Sequence, residues 1–164
     1  ALYNEACKKG WEGIIAKDAN APYIGRRSDR WLKFKCRQQQ EFIICGFTEP
    51  QGSRAGFGAL LLAYQSEGRL IYAGKVGTGF SEKFLIALGD LLKSIEIPRP
   101  PFIIANANSG ANTDANATGI DMDAGAVHWV EPILSCEVSF SGWTESGRLR
   151  HPGFIRLKGR IDLV

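Results

Sequence analysis

The sequence predicts a mostly β chain: a five-stranded Greek-key barrel with one helix after its third strand, preceded by a short α+β segment too small to fold alone. Three observations carry this prediction. Three β-rich runs separated by turn signals follow one another from Glu41 to Gly77. A helical stripe comes directly after them. Two more stretches of strand material then lie beyond a polar, low-complexity gap.

The elements can be justified in order. "ALYNEACKKG" has helical composition and stops at Gly10. "WEGIIAKD" is a short apolar run with β-branched residues, and "ANAPYIGRRSDR" is a turn-rich loop. "WLKFKC" sets Trp31, Lys33 and Lys35 on one face of a strand against Leu32, Phe34 and Cys36 on the other. Two strands and a helix cannot bury an independent core, so residues 1–37 are expected to be the tail of a larger domain. Residues 38–40 are the expected hinge, and 41–164 the self-sufficient barrel.

Within the barrel, "EFIICGFTE", "FGALLLAYQ" and "RLIYAGKVG" read as strands, with turn signals at Pro50 to Gly56 and Ser66 to Gly68. "SEKFLIALGDLLKSI" places Phe84, Leu85, Leu88, Leu91 and Leu92 on one helical face. Ser81 is its N-cap and Glu82 lies in the first turn, where a carboxylate suits the helix dipole. "HWVEPILSCEVSFSGW" is further strand material, with Val127, Trp129, Ile133, Cys136, Val138 and Phe140 as the expected buried set. Three strands, a helix and two more strands is the order of an OB-fold; other small barrels usually lack so long a helix at that point.

The Asn- and Ala-rich stretch 105–125 has little to bury and reads as a flexible insertion. Asp114, Asn116, Thr118 and Gly119 mimic the opening of a calcium loop, but Gly125 stands where a bidentate Glu belongs. Asn116-Ala117-Thr118 is formally a glycosylation acceptor and is read as a chance match.

Apolar content of 45% and charged content of 23% describe an ordinary globular protein, and no apolar run is long enough to span a membrane. The net charge of +3 says little, but its distribution says more. Arg26, Arg27, Arg30, Lys33, Lys35 and Arg37 crowd one short stretch against a single acid, Asp29, as a polyanion contact or a solvated face would. Cys7, Cys36, Cys45 and Cys136 show no metal spacing and read as four buried thiols in a reducing, cytoplasmic setting.

Lys33 and Lys35 place two ammonium groups side by side, an arrangement that an intervening anion such as phosphate stabilises. The alternative is an edge strand protected by lysines. Glu12 is either a surface carboxylate or, beside a phosphate, a metal ligand.

These residues also resemble a family. "EGIIAKD" resembles motif IV of the covalent nucleotidyltransferases, and "WLKFKC" resembles motif V. With "EFIICGFTEPQGSRAGFGALLL", "YAGKVGTGF" and "WVEPILSCEVSFSGWTESGRLRHPGF", nearly the whole chain outside 105–125 is similar to the ligase domain of bacterial DNA ligase D, the ATP-dependent ligase of end joining. The resemblance implies that 1–37 closes an adenylation domain and that the barrel clamps nicked or broken duplex DNA. It implies a metal-ligand role for Glu12, with Mg or Mn as the ion, and α-phosphate binding by Lys33 and Lys35 during phosphoryl transfer. Lys17 would lie near the nucleotide, Arg26 and Arg27 near adenylate or DNA phosphates, and Arg54, Lys75 and Thr78 on the DNA backbone. The glycines of "GSRAGFG" and "GKVGTGF" would let the main chain approach phosphates closely. The Ku end-binding protein is the implied partner, and the bacterial nucleoid the implied place.

Two departures qualify what the chain does by itself. The K-x-D-G motif, whose lysine becomes the lysyl-adenylate, does not occur in it. The expected source of that lysine, and of the rest of the site, is residues that would precede Ala1, and this chain alone is expected to be inactive. The closing R-x-D-K motif is also altered: without gaps Lys158 and Arg160 replace its Arg and Asp. With two extra residues allowed, Arg160 and Asp162 fit but Leu163 replaces the Lys. Arg160 is thus the candidate for the pyrophosphate, with Arg156 and Lys158 beside it. The rival readings are a non-enzymatic OB module that prefers single strands, a capping guanylyltransferase, and a fragment with no role of its own.

Overall fold

The computed structural model describes residues 2–26, 28–101 and 126–160, with Arg160 entering through its backbone only. Insertion 105–125, with its calcium-loop mimic and glycosylation sequence, lies outside the described residues, as does Arg27. The chain divides into two compact units, Ala1–Gln38 and Gln39–Val164.

The first unit holds helix α1 (Leu2–Lys8) and strands β1 (Gly13–Lys17) and β2 (Trp31–Lys35). The strands form an antiparallel ladder in which Gly13 faces Lys35, Ile15 faces Lys33 and Lys17 faces Trp31. Every residue of β2 is exposed. The sheet's apolar side therefore stays open, with Leu32 54% and Phe34 46% accessible.

Here the structure corrects the sequence reading of four thiols. Cys7 and Cys36 form a disulfide with their Cα atoms 5.3 Å apart. The cause is topological. The Cys36 amide donates to the Glu12 carbonyl at 2.8 Å, extending the ladder, and the Trp11 amide donates to the Ala6 carbonyl at 3.0 Å, folding the chain back after α1. Residues 29 apart in sequence thereby meet. Cys45 and Cys136 are the buried free thiols expected, and burial pushes each up to about 12.

The second unit contains β3 (Gln38–Thr48) from its second residue on, β4 (Leu60–Ser66), β5 (Arg69–Val76), helix α2 (Glu82–Ser94), β6 (Glu96–Ile97), β7 (Val127–Phe140), β8 (Gly142–Trp143), β9 (Leu149–Arg150) and β10 (Gly153–Arg160). Residues 38–40, where the sequence reading put a hinge, are the exposed first residues of β3. The strands run in the order β10-β7-β3-β4-β5, with β10–β7, β3–β4 and β4–β5 paired antiparallel. The ends of this path meet where the Phe154 amide donates to the Thr78 carbonyl at 3.0 Å. With α2 following the third barrel strand, this is the OB-fold order that the sequence predicts.

"FIIC" and "LLLA" are buried on both faces, because apolar residues without alternation need cover on each side. The inner core joins Phe42, Ile44, Leu60, Leu62, Val76, Val138 and Phe140 to Leu85, Leu88 and Leu92 of α2. The opposite face gathers Ile43, Cys45, Leu61, Ala63, Tyr72 and Trp129. Ser81 caps α2 by accepting the Phe84 amide at 3.4 Å. Leu91, expected on the buried stripe, is 42% exposed. The stripe runs through Leu85, Leu88, Gly89 and Leu92 instead, and a Cβ on Gly89 would come within 3.2 Å of Gly56. No helix of the described residues is long and apolar enough to cross a membrane.

Candidate functional site

The β1–β2 ladder places the candidate phosphate residues. Antiparallel partners point to the same side, so Lys17, Lys33, Lys35 and Trp31 share one face. Lys33 Nζ donates to Glu12 Oε1 at 2.8 Å, and Lys35 Nζ lies 3.9 Å from the same oxygen. The pairing of like charges anticipated from the sequence is thus real. The anion between the two ammonium groups is the carboxylate expected to hold a metal. All three side chains are well exposed, so water screens the attraction and an incoming phosphate could compete for both lysines.

Lys17 sits at the other end of the ladder. Its ammonium lies 4.2 Å over the Trp31 ring, separate from the Glu12 cluster. Arg26 is exposed in the loop between the strands. That loop is closed by a pair the sequence reading did not single out: Arg30 donates to Asp18 at 3.0 Å, and the Asp18 amide donates to the Arg30 carbonyl. The signal for it is register, since Asp18 and Arg30 are the next partners after Lys17 and Trp31. Both also line an open cleft of about 460 Å³ with Ala16, Lys17, Asp29 and Leu32.

In the barrel, Arg54 and Thr78 lie together on one rim and both have structural duties. Arg54 donates from Nε to the Phe57 carbonyl and from Nη2 to the Gly77 carbonyl, each at 2.9 Å, which pins the 51–57 loop to the turn after β5. Thr78 donates its hydroxyl to the Pro152 carbonyl at 3.3 Å. Lys75 is half-buried on β5 opposite Leu61. The glycines differ from their expected role. A Cβ on Gly56 (φ +75°) would lie 2.1 Å from the Leu85 carbonyl oxygen, and one on Gly79 (φ +96°) 2.3 Å from that of Phe154. Both admit the protein's own backbone, to α2 and to β10 respectively, and need no phosphate to explain them.

The altered closing motif falls on β10, where Arg156 pairs with Glu137 of β7 at 2.6 Å. The Arg160 backbone pairs with Leu134.

A second charged cluster was not anticipated. His128 Nδ1 meets Glu96 at 2.5 Å and Nε2 meets Glu49 at 2.7 Å, while the ring stacks on Phe47 at 4.8 Å. Satisfying both carboxylates takes two ring N–H groups. The Glu96 hydrogen bond, followed by that to Glu49 and both their charges, outweighs partial burial and raises the imidazole above its ordinary value.

Comparison with known proteins agrees with this architecture. The family model of the ATP-dependent DNA ligase C-terminal region matches residues 53–160. The chain is 40% identical over 160 residues to the multifunctional non-homologous end joining protein LigD of Pseudomonas aeruginosa, covering 96% of this chain but only 18% of that relative. The crystal structure of the ligase domain of M. tuberculosis LigD superposes with a TM-score of 0.61 at 36% identity, covering 95% of this chain and 47% of that one. A mycobacterial DNA ligase D complexed with ATP and MES gives a TM-score of 0.58 at 34% identity, over 96% of this chain and 46% of that one. The chain belongs to the ATP-dependent DNA ligase C-terminal family and resembles, in sequence and fold, the later part of the LigD ligase domain.

Proposed function

We propose that this chain is the part of an ATP-dependent DNA ligase that completes the phosphate site and clamps DNA, in sealing nicks or double-strand breaks during bacterial non-homologous end joining. The observation that carries the reading is the convergence of Lys33 and Lys35 on one anionic oxygen. Two ammonium groups so placed stabilise an α-phosphate whose charge rises during adenylate formation and transfer. ATP is the nucleotide, as in the ligand-bound relative.

The residues fit a divalent ion only in company with a phosphate. Glu12 offers one carboxylate, and the described residues hold no group of three metal-ligating side chains. Mg or Mn bound there with phosphate oxygens would neutralise phosphate charge. The chain's own contribution is to hold Lys33 and Lys35 in register on β2 and Lys17 beside Trp31. Arg26 and Arg27 serve adenylate or DNA phosphates, Arg160 the pyrophosphate, and Arg54, Lys75 and Thr78 the duplex backbone. For Arg54 this leaves the guanidinium N–H groups not spent on Phe57 and Gly77.

Residues 1–37 act as the end of the adenylation domain and 41–164 as the clamp, joined by a hinge at 38–40 that lets the clamp swing between steps. The open apolar side of β2, at Leu32 and Phe34, is where the nucleophile-bearing part of that domain would pack. Ku is the end-binding partner, and the working place is the cytoplasm at the nucleoid.

The test has two arms. Incubated with ATP and Mg, this chain should gain no mass, because it has no nucleophilic lysine motif, whereas a polypeptide carrying that motif ahead of it should gain one AMP on lysine. Nicked duplex should bind this chain more tightly than single strands, with strong salt dependence. An AMP adduct on this chain would overturn its inactivity. Preference for single strands would turn the reading toward a binding module.

A further inference from the structure

Two of the four cysteines stand beside the phosphate-site residues, not in the barrel. Cys7 lies in the last turn of α1, and Cys36 directly follows Lys35 at the end of β2. The Cys36 amide donates to the Glu12 carbonyl at 2.8 Å. Cys36 thus adjoins Lys35 by a peptide bond and Glu12 by a hydrogen bond.

Helix α1 has a weak claim to stability by itself. It is seven residues long, Ala6 is its one buried residue, and Leu2 and Tyr3 stay exposed. A helix of that length is marginal in water without tertiary support. Two ties carry it to the end of β2. The Tyr3 hydroxyl donates to the Lys35 carbonyl at 3.0 Å, and Cys7 is bonded to Cys36. Cys7 and Cys36 are half-buried, whereas Cys45 and Cys136 are buried, so a thiol reagent has a route to the first pair alone. Where a disulfide forms in the reducing cytoplasm, it is usually transient or redox-sensing.

We propose that Cys7 and Cys36 are a reversible redox site, whose disulfide braces α1 against the Glu12–Lys35 end of the phosphate site and whose reduction releases it. The cytoplasmic setting comes from the proposed function, while the site itself rests on the geometry of the first unit. A dithiol supplies the electrons. One of its thiolates attacks Cys7 or Cys36, forming a mixed disulfide and expelling the other cysteine as a thiolate. Its second thiol then attacks the mixed disulfide and expels the remaining cysteine. Two electrons pass to the pair, the dithiol leaves as its own disulfide, and its two protons end on the cysteine thiols. Oxidised glutathione reverses the change by the same exchange, yielding two molecules of glutathione. With the bond open, α1 frays, and Glu12 and Lys35 lose the backbone order that aligns them.

The experiment is amide hydrogen exchange of the 164-residue chain, followed by nuclear magnetic resonance in the oxidised state and in dithiothreitol. The amides of Lys9, Trp11 and Cys36 report on α1 and the ladder end, because they bond to the carbonyls of Glu5, Ala6 and Glu12. Reduction should speed their exchange about tenfold and leave the amides of β4 and β5 unchanged, and oxidised glutathione should restore the slow rate. A chain carrying both Cys7→Ser and Cys36→Ser should exchange at the reduced rate and ignore dithiothreitol. Tyr3→Phe keeps the disulfide and should stay within about twofold of the oxidised wild type. A disulfide that survives excess dithiothreitol in the folded chain overturns the proposal, as does reduction that leaves these three amides unchanged. Exchange at the reduced rate in oxidised Tyr3→Phe would make Tyr3 the brace and overturn it too. None of these results touches the ligase reading, which the AMP and duplex measurements test separately.

Discussion

At the residue scale, the side chains with distinctive chemistry divide into those that sequence spacing placed and those it could not. Lys33 and Lys35 were legible because a strand repeats every second residue, and their ammonium groups do lie together. Gly56 and Gly79 were legible as turn glycines, but what they admit was not, since Leu85 and Phe154 arrive from distant elements. Gly79→Ala should therefore destabilise the barrel by about 2 kcal/mol or more, combining left-handed strain with a backbone clash, and urea denaturation would read it. His128 was invisible to spacing because its carboxylates stand on other elements. Its folded pKa is raised, so its stabilising effect is complete below the ordinary value of 6.5 and is lost as pH rises through the folded value. Wild type should exceed His128→Gln in stability at about pH 6 and lose that margin by about pH 9, as denaturation at the two pH values would show. Equal margins would remove the charged ring from the account.

At the scale of elements, α2 was read correctly from capping and periodicity, because both are local. The Ser81 cap predicts that Ser81→Ala costs about 1 kcal/mol, measurable as a lowered melting temperature. The first unit depends on a covalent tie that local reading excluded. Cys7–Cys36 closes a loop around Glu12, Lys17, Lys33 and Lys35, and such a closure removes about 3 to 4 kcal/mol of unfolded-state entropy. Alkylation followed by mass measurement checks the assignment. The native chain should take no label, because Cys45 and Cys136 are buried and their thiols are pushed up to about 12. The unfolded, unreduced chain should take two labels, and the reduced chain four. Four labels without reduction would show the pair as thiols in solution.

At the scale of the whole molecule, the two units have different claims to stability. The barrel buries continuous apolar strands on both faces and holds Leu85, Leu88 and Leu92 of α2 in its core, each worth roughly 1.5 to 3 kcal/mol. The first unit leaves every residue of β2 exposed. Proteolysis of the native chain should therefore cut within residues 1–38 more readily than within the barrel segments 39–97 and 127–160. Equal resistance of both units would mean that the disulfide alone stabilises the first.

The sequence of elements along the barrel, its helix and the lysine pair were determined by sequence alone, because alternation, capping and turn chemistry act within a few residues. Family membership could be read there too, from motifs in order. Tertiary structure decided the rest. It brought Cys7 to Cys36, made Glu12 the common partner of two lysines, turned the loop glycines toward the protein's own backbone, and gathered two carboxylates around His128. Each of these joins residues far apart in the chain, and only the closing of a ladder or a barrel decides which distant groups meet.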